Sequence, residues 1–150
     1  MALIDLLSLP ESGPLIGIDP GSKTLGIAAS DGLRLIASPV ETIQRSKLLK
    51  DLSALFALYD DRRAVGLVCG LPLNMDGSEG PRAQSARAFV RNILKSRDLP
   101  IAFQDERLST AQATRAMLDA DLSRARRAEL IDASAASVIL QTAIDRLANK

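Results

Sequence analysis

The sequence predicts a three-layer α/β domain, in which antiparallel strands come first and strand–helix crossovers follow. Three observations predict this class. Residues 15–31 read as an apolar run that turns and comes back, residues 64–71 form a continuous apolar run of strand length, and amphipathic helical patterns flank that second run. Strands that feed into helices and then into strands again are typical of a sheet covered by helices.

The first predicted strand ends in a carboxylate. Residues 15–18 are apolar, Asp19 follows, and Pro20-Gly21 forces a turn before a second short run at 27–30. A buried carboxylate is costly unless it meets a cation or a metal ion. Asp19 therefore either begins the turn, as aspartate often does, or has a chemical role.

The next elements follow from periodicity and from breaker residues. A third strand, curved or at an edge, surrounds Pro39 at 33–43, and apolar residues at helical spacing predict a helix over 46–59. Residues 64–71 fit a strand buried on both faces, which favours parallel pairing. The polar, glycine-rich loop at 72–81 then follows a central strand, a usual place for ligands.

The second half of the chain repeats the alternation of helix and strand. The predicted elements are a helix at 82–97, a strand at 101–106 that runs into acids, a helix from the capping box at Ser109 to about residue 120, and a last helix at 128–147. The middle of the last helix is apolar or small on nearly all sides except at Asp132. Small neighbours would let this helix approach the sheet closely.

Length and composition indicate one globular domain. We assign residues 15–150 to it and residues 1–14 to an N-terminal extension. The single cysteine, Cys69, lies in an apolar run and fits a core position in a reducing compartment. No run reaches the roughly 20 apolar residues of a membrane span, and the start lacks a signal peptide's basic region. We therefore expect a cytoplasmic protein without a membrane partner.

Net charge and residue usage limit the kinds of catalytic site that the chain can form. The net charge is +1, and the chain has no histidine, which excludes a histidine general base, a Ser-His-Asp triad and a histidine-bound zinc within this chain. Acid, base and metal chemistry must then fall to carboxylates. Residues 82–97 hold five basic residues and no acid, which fits either a solvated helix face or a phosphate contact.

Three acids close or interrupt apolar elements: Asp19, Glu106 and Asp132. Because side chains alternate along a strand, Asp105 and Glu106 face opposite sides and only one can join Asp19. Such a trio suits Mg²⁺ or Mn²⁺, and two such ions about 4 Å apart can activate a water for phosphodiester hydrolysis. The alternative is that Glu106 pairs with Arg107 at the surface and Asp132 is solvated.

Four sequence blocks, in order, resemble the YqgF family of Holliday-junction-resolvase-like or pre-16S ribosomal RNA nucleases. The blocks are IGIDPGSKTLGIAASD from Ile16, GLPLNMDGSEGPRA from Gly70, DERLST from Asp105 and IDASAASVILQ from Ile131. The resemblance implies an RNase H-like fold with a mixed five-stranded sheet and helices on both faces. It also implies an acidic trio of Asp19, Glu106 and Asp132 that binds divalent metal, and trimming of the 5′ end of the small-subunit ribosomal RNA precursor.

The resulting hypothesis is a metal-dependent nuclease that acts on structured RNA. Lys23, Arg82 and Arg107 are candidates to hold backbone phosphates, and Asn74 and Ser78 to orient the substrate. The expected partners are structured RNA or branched DNA and ribosomal precursor particles, with the protein a monomer or a homodimer.

Two other functions fit the same residues. A Holliday-junction DNA resolvase needs the same acids and two symmetric copies. A non-catalytic RNA-binding factor of ribosome assembly would keep the fold without using the acids. A nucleotide-binding protein of the actin and sugar-kinase type, whose first phosphate loop resembles DPGSKTLG, needs two such domains, for which 150 residues are too few.

Overall fold

The computed structural model describes residues 4–108 and 124–149, with only the backbone given for Leu108 and residues 124–134. Five strands form one sheet: β1 (Leu15–Pro20), β2 (Thr24–Ser30), β3 (Ala37–Gln44), β4 (Gly66–Leu71) and β5 (Ile101–Asp105). The helices are α1 (Leu48–Asp61), α2 (Pro81–Ser96) and α3 (Arg124–Ala148), with short 3₁₀ turns at Leu6–Ser8 and Glu106–Leu108. The predicted helix from Ser109 lies outside the described residues.

The sheet is mixed, with the strand order β3-β2-β1-β4-β5. β2 pairs antiparallel with both β1 and β3, whereas β4 pairs parallel with both β1 and β5. The carboxyl ends of β1, β4 and β5 therefore meet at one edge of the sheet. This arrangement confirms the predicted mixed five-stranded sheet.

Helices cover both faces of the sheet. On one face, apolar residues of α1 and α2 pack on alternate strand residues such as Ile16, Ile18 and Leu67. On the other face, α3 packs on the intervening residues, among them Leu15 and Val68. Side chains that alternate along a strand thus enter two separate cores.

β3 begins later than the sequence predicted. Residues 33–36 were expected in the strand, but they form a turn in which the Asp31 carboxylate accepts N–H bonds from Leu35 (2.8 Å) and Ile36 (2.9 Å). An aspartate that bonds the backbone a few residues on competes with strand pairing. β3 is an edge strand with a bulge opposite Ile27 and Ala28, in line with the expected curvature around Pro39.

The N-terminal segment lies against the sheet and α3. The Ile4 amide donates to the Ile101 carbonyl at 2.9 Å, and Leu6 and Leu9 are buried in the α3-side core. The division into an extension at 1–14 and a domain at 15–150 stays a prediction. Within the part of the chain that the structure describes, no helix is long and apolar enough to cross a membrane.

The backbone of α3 approaches the sheet closely at Gly17. A Cβ there would lie 2.8 Å from the Leu140 Cβ and 3.1 Å from the Ala136 carbonyl oxygen. Both atoms are fixed to the helix backbone, so a side chain at this position must push the helix away. The small-residue pattern in the last helix predicted such an approach.

We expect Gly17→Ala to lower the free energy of unfolding by about 1–3 kcal/mol, because α3 cannot accommodate the added carbon without moving. Urea unfolding of the parent and the variant measures the change. Gly32→Ala is the matched control, since a Cβ there meets nothing within 4 Å and should change stability by less than about 0.5 kcal/mol. Equal stabilities of the two variants would contradict the tight contact.

Candidate active site

Two buried carboxylates lie at the carboxyl edge of the sheet, on the face covered by α3. Asp19 is the penultimate residue of β1 and pairs with Gly26 of β2. Glu106 begins the 3₁₀ turn directly after β5. Each is only 2% exposed. The fold therefore brings these two acids, 87 positions apart in the sequence, to the same edge.

Gly70 of β4 lies between the two acids. A Cβ on Gly70 would be 3.3 Å from the Glu106 carboxyl carbon and 2.6 Å from Ile139 Cδ1, so the Glu106 carboxyl packs directly over the β4 backbone. Cys69 of β4 pairs with Ile18 of β1, so the residues that follow them, Gly70 and Asp19, are also neighbours. Asp19 therefore lies on the opposite side of Gly70 from Glu106. Because Gly70 has no side chain, there is room over β4 for the carboxylates of Asp19 and Glu106.

The electrostatics of Cys69 agree with this geometry. Burial raises the pKa of the Cys69 thiol, and the negative charges of Asp19 and Glu106 raise it further. Both carboxylates thus act on one residue of the central strand. The same burial makes the thiol unreactive, consistent with a core role for this cysteine.

The donor chemistry fits a hard divalent cation. Carboxylate oxygens in a site screened from water are ligands that Mg²⁺ and Mn²⁺ prefer. Among the described side chains, no group of three His, Cys, Asp or Glu residues is arranged to hold a metal ion. The side chain of Asp132 is outside that set. Its backbone lies in α3, one helical turn before Ala136, the residue whose carbonyl approaches Gly17.

Asp105 is paired with Arg107 and does not join the two buried acids. The Arg107 guanidinium donates to the Asp105 carboxylate at 2.7 Å, and the Arg107 backbone N–H donates at 2.9 Å. The hydrogen bond from Arg107 lowers the pKa of Asp105. Of the two consecutive acids, Glu106 is the one that the structure places near Asp19.

The loop after β4 is held by its own polar residues and by Arg107. Asn74 donates to the Ser78 hydroxyl at 3.0 Å, and Ser78 donates to the Asp76 carboxylate at 2.6 Å. Arg107 Nη1 donates to the Met75 carbonyl at 3.4 Å. The exposed Asn74 and Ser78 side chains are therefore bonded to each other and lie in a loop that contacts the residue after Glu106.

The two remaining candidate phosphate contacts lie at the same edge of the sheet. Lys23 is exposed in the turn between β1 and β2, which is closed by a bond from the Gly21 amide to the Thr24 carbonyl at 2.9 Å. Arg82 is exposed in the first turn of α2, directly after the loop. Both positions border the edge at which Asp19 and Glu106 lie.

The family model described as "RuvX: Holliday junction resolvase" matches residues 13–146 of the chain. The chain belongs to the RuvX family. This result confirms the resemblance to YqgF proteins, another name for the same family.

Similar proteins carry a consistent name. A protein of Cereibacter sphaeroides (strain KD131) is 59% identical over 95% of this RuvX chain and 89% of its own length. One from Phenylobacterium zucineum is 53% identical over 99% of each chain. Both are named "Putative pre-16S rRNA nuclease".

Solved structures show the same fold. Thermus thermophilus RuvC in complex with a Holliday junction substrate has a TM-score of 0.55 at 16% identity, over 91% of this RuvX chain and 96% of RuvC. A second T. thermophilus RuvC structure has a TM-score of 0.53 at 15% identity, over 90% and 96% of the two chains. The predicted RNase H-like fold is thereby confirmed.

Sequence reasoning missed the residues that shape the site around the acids. The predicted site included neither Gly70 nor Asp51. In the RuvX chain Asp51 is 3% exposed, and the cost of its burial is offset by a hydrogen bond from the Ser46 amide at 3.0 Å and by Arg45 Nε at 4.0 Å. A glycine in an otherwise β-branched and apolar strand was the available signal for Gly70.

We expect Asp105→Asn to lower the free energy of unfolding at pH 7 by up to about 1 kcal/mol, since the pair with Arg107 is partly exposed. The pKa of Asp105 is lowered in the folded protein. This stabilisation is therefore complete above the unfolded carboxyl pKa of about 3.9 and is lost as the pH falls through the folded pKa.

Urea unfolding of the parent and Asp105→Asn, at pH 7 and again near pH 2.5, tests this linkage. The gap between the two proteins should close in acid. A gap of equal size at both pH values would mean that the charge of Asp105 contributes nothing.

Proposed function

We propose that the chain is a divalent-metal-dependent nuclease that processes the 5′ end of the 16S ribosomal RNA precursor in the bacterial cytoplasm. The observation that carries the proposal is the pair of buried carboxylates, Asp19 and Glu106, on either side of Gly70. The name of the similar proteins supports pre-16S RNA as the substrate. Two buried acids at a strand edge support metal-assisted hydrolysis.

Asp19, Glu106 and Asp132 are the proposed metal ligands. A bound Mg²⁺ or Mn²⁺ would supply an activated water and neutralise charge on the phosphodiester. Asp19 is hydrogen-bonded into the sheet through β2 and neighbours β4, so its position is fixed before any ligand arrives. Asp132 would approach from α3, whose contact with Gly17 sets the distance between helix and strand.

Five residues around the acids are proposed to hold the substrate: Lys23, Asn74, Ser78, Arg82 and Arg107. Arg107 uses its Nε, one Nη1 and one Nη2 hydrogen on Asp105 and the Met75 carbonyl. A guanidinium has five N–H groups, so two remain for a phosphate. Asn74 and Ser78 present polar groups from the loop beside Arg107.

A junction-specific DNA resolvase is the second candidate, favoured by the family description and by the RuvC-like fold. Resolution of a four-way junction requires two symmetric cuts, so this function predicts a dimer. A non-catalytic RNA-binding assembly factor is the third, and it predicts RNA binding that does not depend on the acids.

The first test is cleavage of an end-labelled 16S ribosomal RNA precursor and of a four-way DNA junction of similar size, each with Mg²⁺ or Mn²⁺. We expect the RNA to be cut at its 5′ extension. Asp19→Asn and Glu106→Gln should each reduce the rate about 10²-fold or more, because several kcal/mol of charge stabilisation is lost. Asp98→Asn, an exposed acid after α2, is the control and should cut as the parent does.

The outcomes separate the three functions. Cutting of the junction alone, by a dimer, would replace the RNA nuclease with the resolvase. RNA binding without cutting, unchanged in Asp19→Asn, would favour the assembly factor. Equal cutting by Asp19→Asn and the parent would refute the carboxylate site.

Metal binding should also appear as added stability. At a Mn²⁺ concentration of about 100 times Kd, the free energy of unfolding should rise by about 2.7 kcal/mol. Asp19→Asn should lose this increment, and Asp98→Asn should keep it. Urea unfolding with and without Mn²⁺, with calorimetric titration for Kd, measures the effect independently of catalysis. An increment that persists in Asp19→Asn would place the metal elsewhere.

A further inference from the structure

The region beside Asp19 has an unbalanced positive charge. Residues 20–30 and 42–59 together contain four basic residues and a single acid, Asp51. The basic residues are Lys23, Arg45, Lys47 and Lys50. These two segments are neighbours in the fold, because Thr24 pairs with Gln44 at the end of the β2–β3 ladder.

Arg45 and Asp51 form an internal brace. The Arg45 amide donates to the Lys23 carbonyl at 2.9 Å, and its guanidinium donates to the Gly21 carbonyl at 2.6 Å. The guanidinium also lies 5.3 Å from the centre of the Phe89 ring. Asp51 is buried and lies 4.0 Å from Arg45 Nε. The brace holds the turn after Asp19 against the start of α1, and the only acid of the two segments faces Arg45.

The three lysines stay exposed at the surface. Lys23 lies in the turn, Lys47 precedes α1 directly, and Lys50 is in the first turn of α1. We call Lys23, Lys47 and Lys50 the basic strip. Leu49, which is 78% exposed, lies between the two helix lysines. The strip begins four residues after Asp19 and leads away from the carboxylates.

Lysines at the start of α1 are unfavourable for the helix itself. The amino end of a helix carries a partial positive charge, which favours acids and disfavours cations. Lys47 is also at the N-cap, where Ser, Thr, Asp or Asn would bond the backbone, and it makes no side-chain cap bond. Positive charge kept at a position where it costs helix stability is typical of a functional surface.

We infer that the basic strip, through Lys47 and Lys50 as well as Lys23, binds the phosphodiester backbone of the nucleic acid where the strand leaves the carboxylate edge. This inference rests on the proposed function, which identifies the bound polyanion as a nucleic acid. Phosphates attract lysines without regard to sequence, and the amino end of α1 adds its own partial positive charge. The strip extends the substrate surface from the carboxylate edge onto α1.

The test compares Lys47→Gln/Lys50→Gln with Arg62→Gln/Arg63→Gln. The control pair removes the same charge from exposed positions directly after α1, whose carboxyl end lies at the opposite edge of the sheet. Each pair is combined with Asp19→Asn to prevent cleavage. Fluorescence anisotropy of a labelled stem-loop from the 5′ end of the 16S precursor, and of DNA of the same sequence, gives Kd against salt.

We expect the strip variant to bind the stem-loop about 10-fold more weakly near 50 mM salt, with a salt slope smaller by about 1.5, for two lost phosphate contacts. The control should bind within twofold of its parent. Lys47→Arg/Lys50→Arg should restore binding, which separates charge from folding. Removal of the lysines should not unfold α1, since they oppose its dipole.

An unchanged Kd and slope in the strip variant, or an equal loss in the control, would overturn the inference. In that case the strip is a solvated surface or faces an acidic protein. Binding is measured apart from cleavage, so the two proposals fail separately. A protein that binds through the strip but does not cleave the nucleic acid would support this inference and refute the proposed nuclease function.

Discussion

The close approach of α3 to the sheet is the contact on which the site depends. At Gly17 the helix backbone occupies space that any side chain would fill, and at Gly70 the Ile139 side chain and the Glu106 carboxyl do the same. A helix this near the strands seals their face, which is why Asp19 and Glu106 are buried although they lie at the sheet edge. Two glycines in adjacent parallel strands thus determine both the packing of the last helix and the surroundings of the acids.

Burial of two carboxylates works against the stability of the domain. Each loses hydration on burial, and both negative charges raise the pKa of the Cys69 thiol. The apolar cores on the two faces of the sheet offset this cost. A fold that keeps such a pair where neutral residues would be more stable is typical of a binding or catalytic site, because function and stability compete there.

Hydrophobic periodicity predicted most of the fold, since β1, β4, α1 and α2 each bury a continuous or regularly spaced apolar surface. It failed where a polar side chain organises the backbone. Asp31 accepts hydrogen bonds from two amides and delays β3, and Asp51 is buried beside Arg45 and Ser46, a contact that periodicity does not predict. Asp19 and Glu106 could be proposed from the sequence because each ends an apolar run, whereas Gly70 was missed because its contact with Glu106 exists only in the folded chain.

The end of β5 is held by side-chain bonds on both faces of the sheet. These bonds position Glu106, which lies just beyond the strand and has no strand pairing of its own. On one face Arg107 holds the Asp105 carboxylate and reaches the loop after β4. On the other, Arg146 of α3 donates to Gln104 Oε1 at 3.1 Å, and Gln104 donates to the Asp105 carbonyl at 3.0 Å. Asp19 is fixed by pairing with β2, but Glu106 depends on α3 and on the loop. The two acids are therefore held by different kinds of contact: backbone pairing holds Asp19, and side-chain bonds from Arg107 and Arg146 hold the strand end that precedes Glu106.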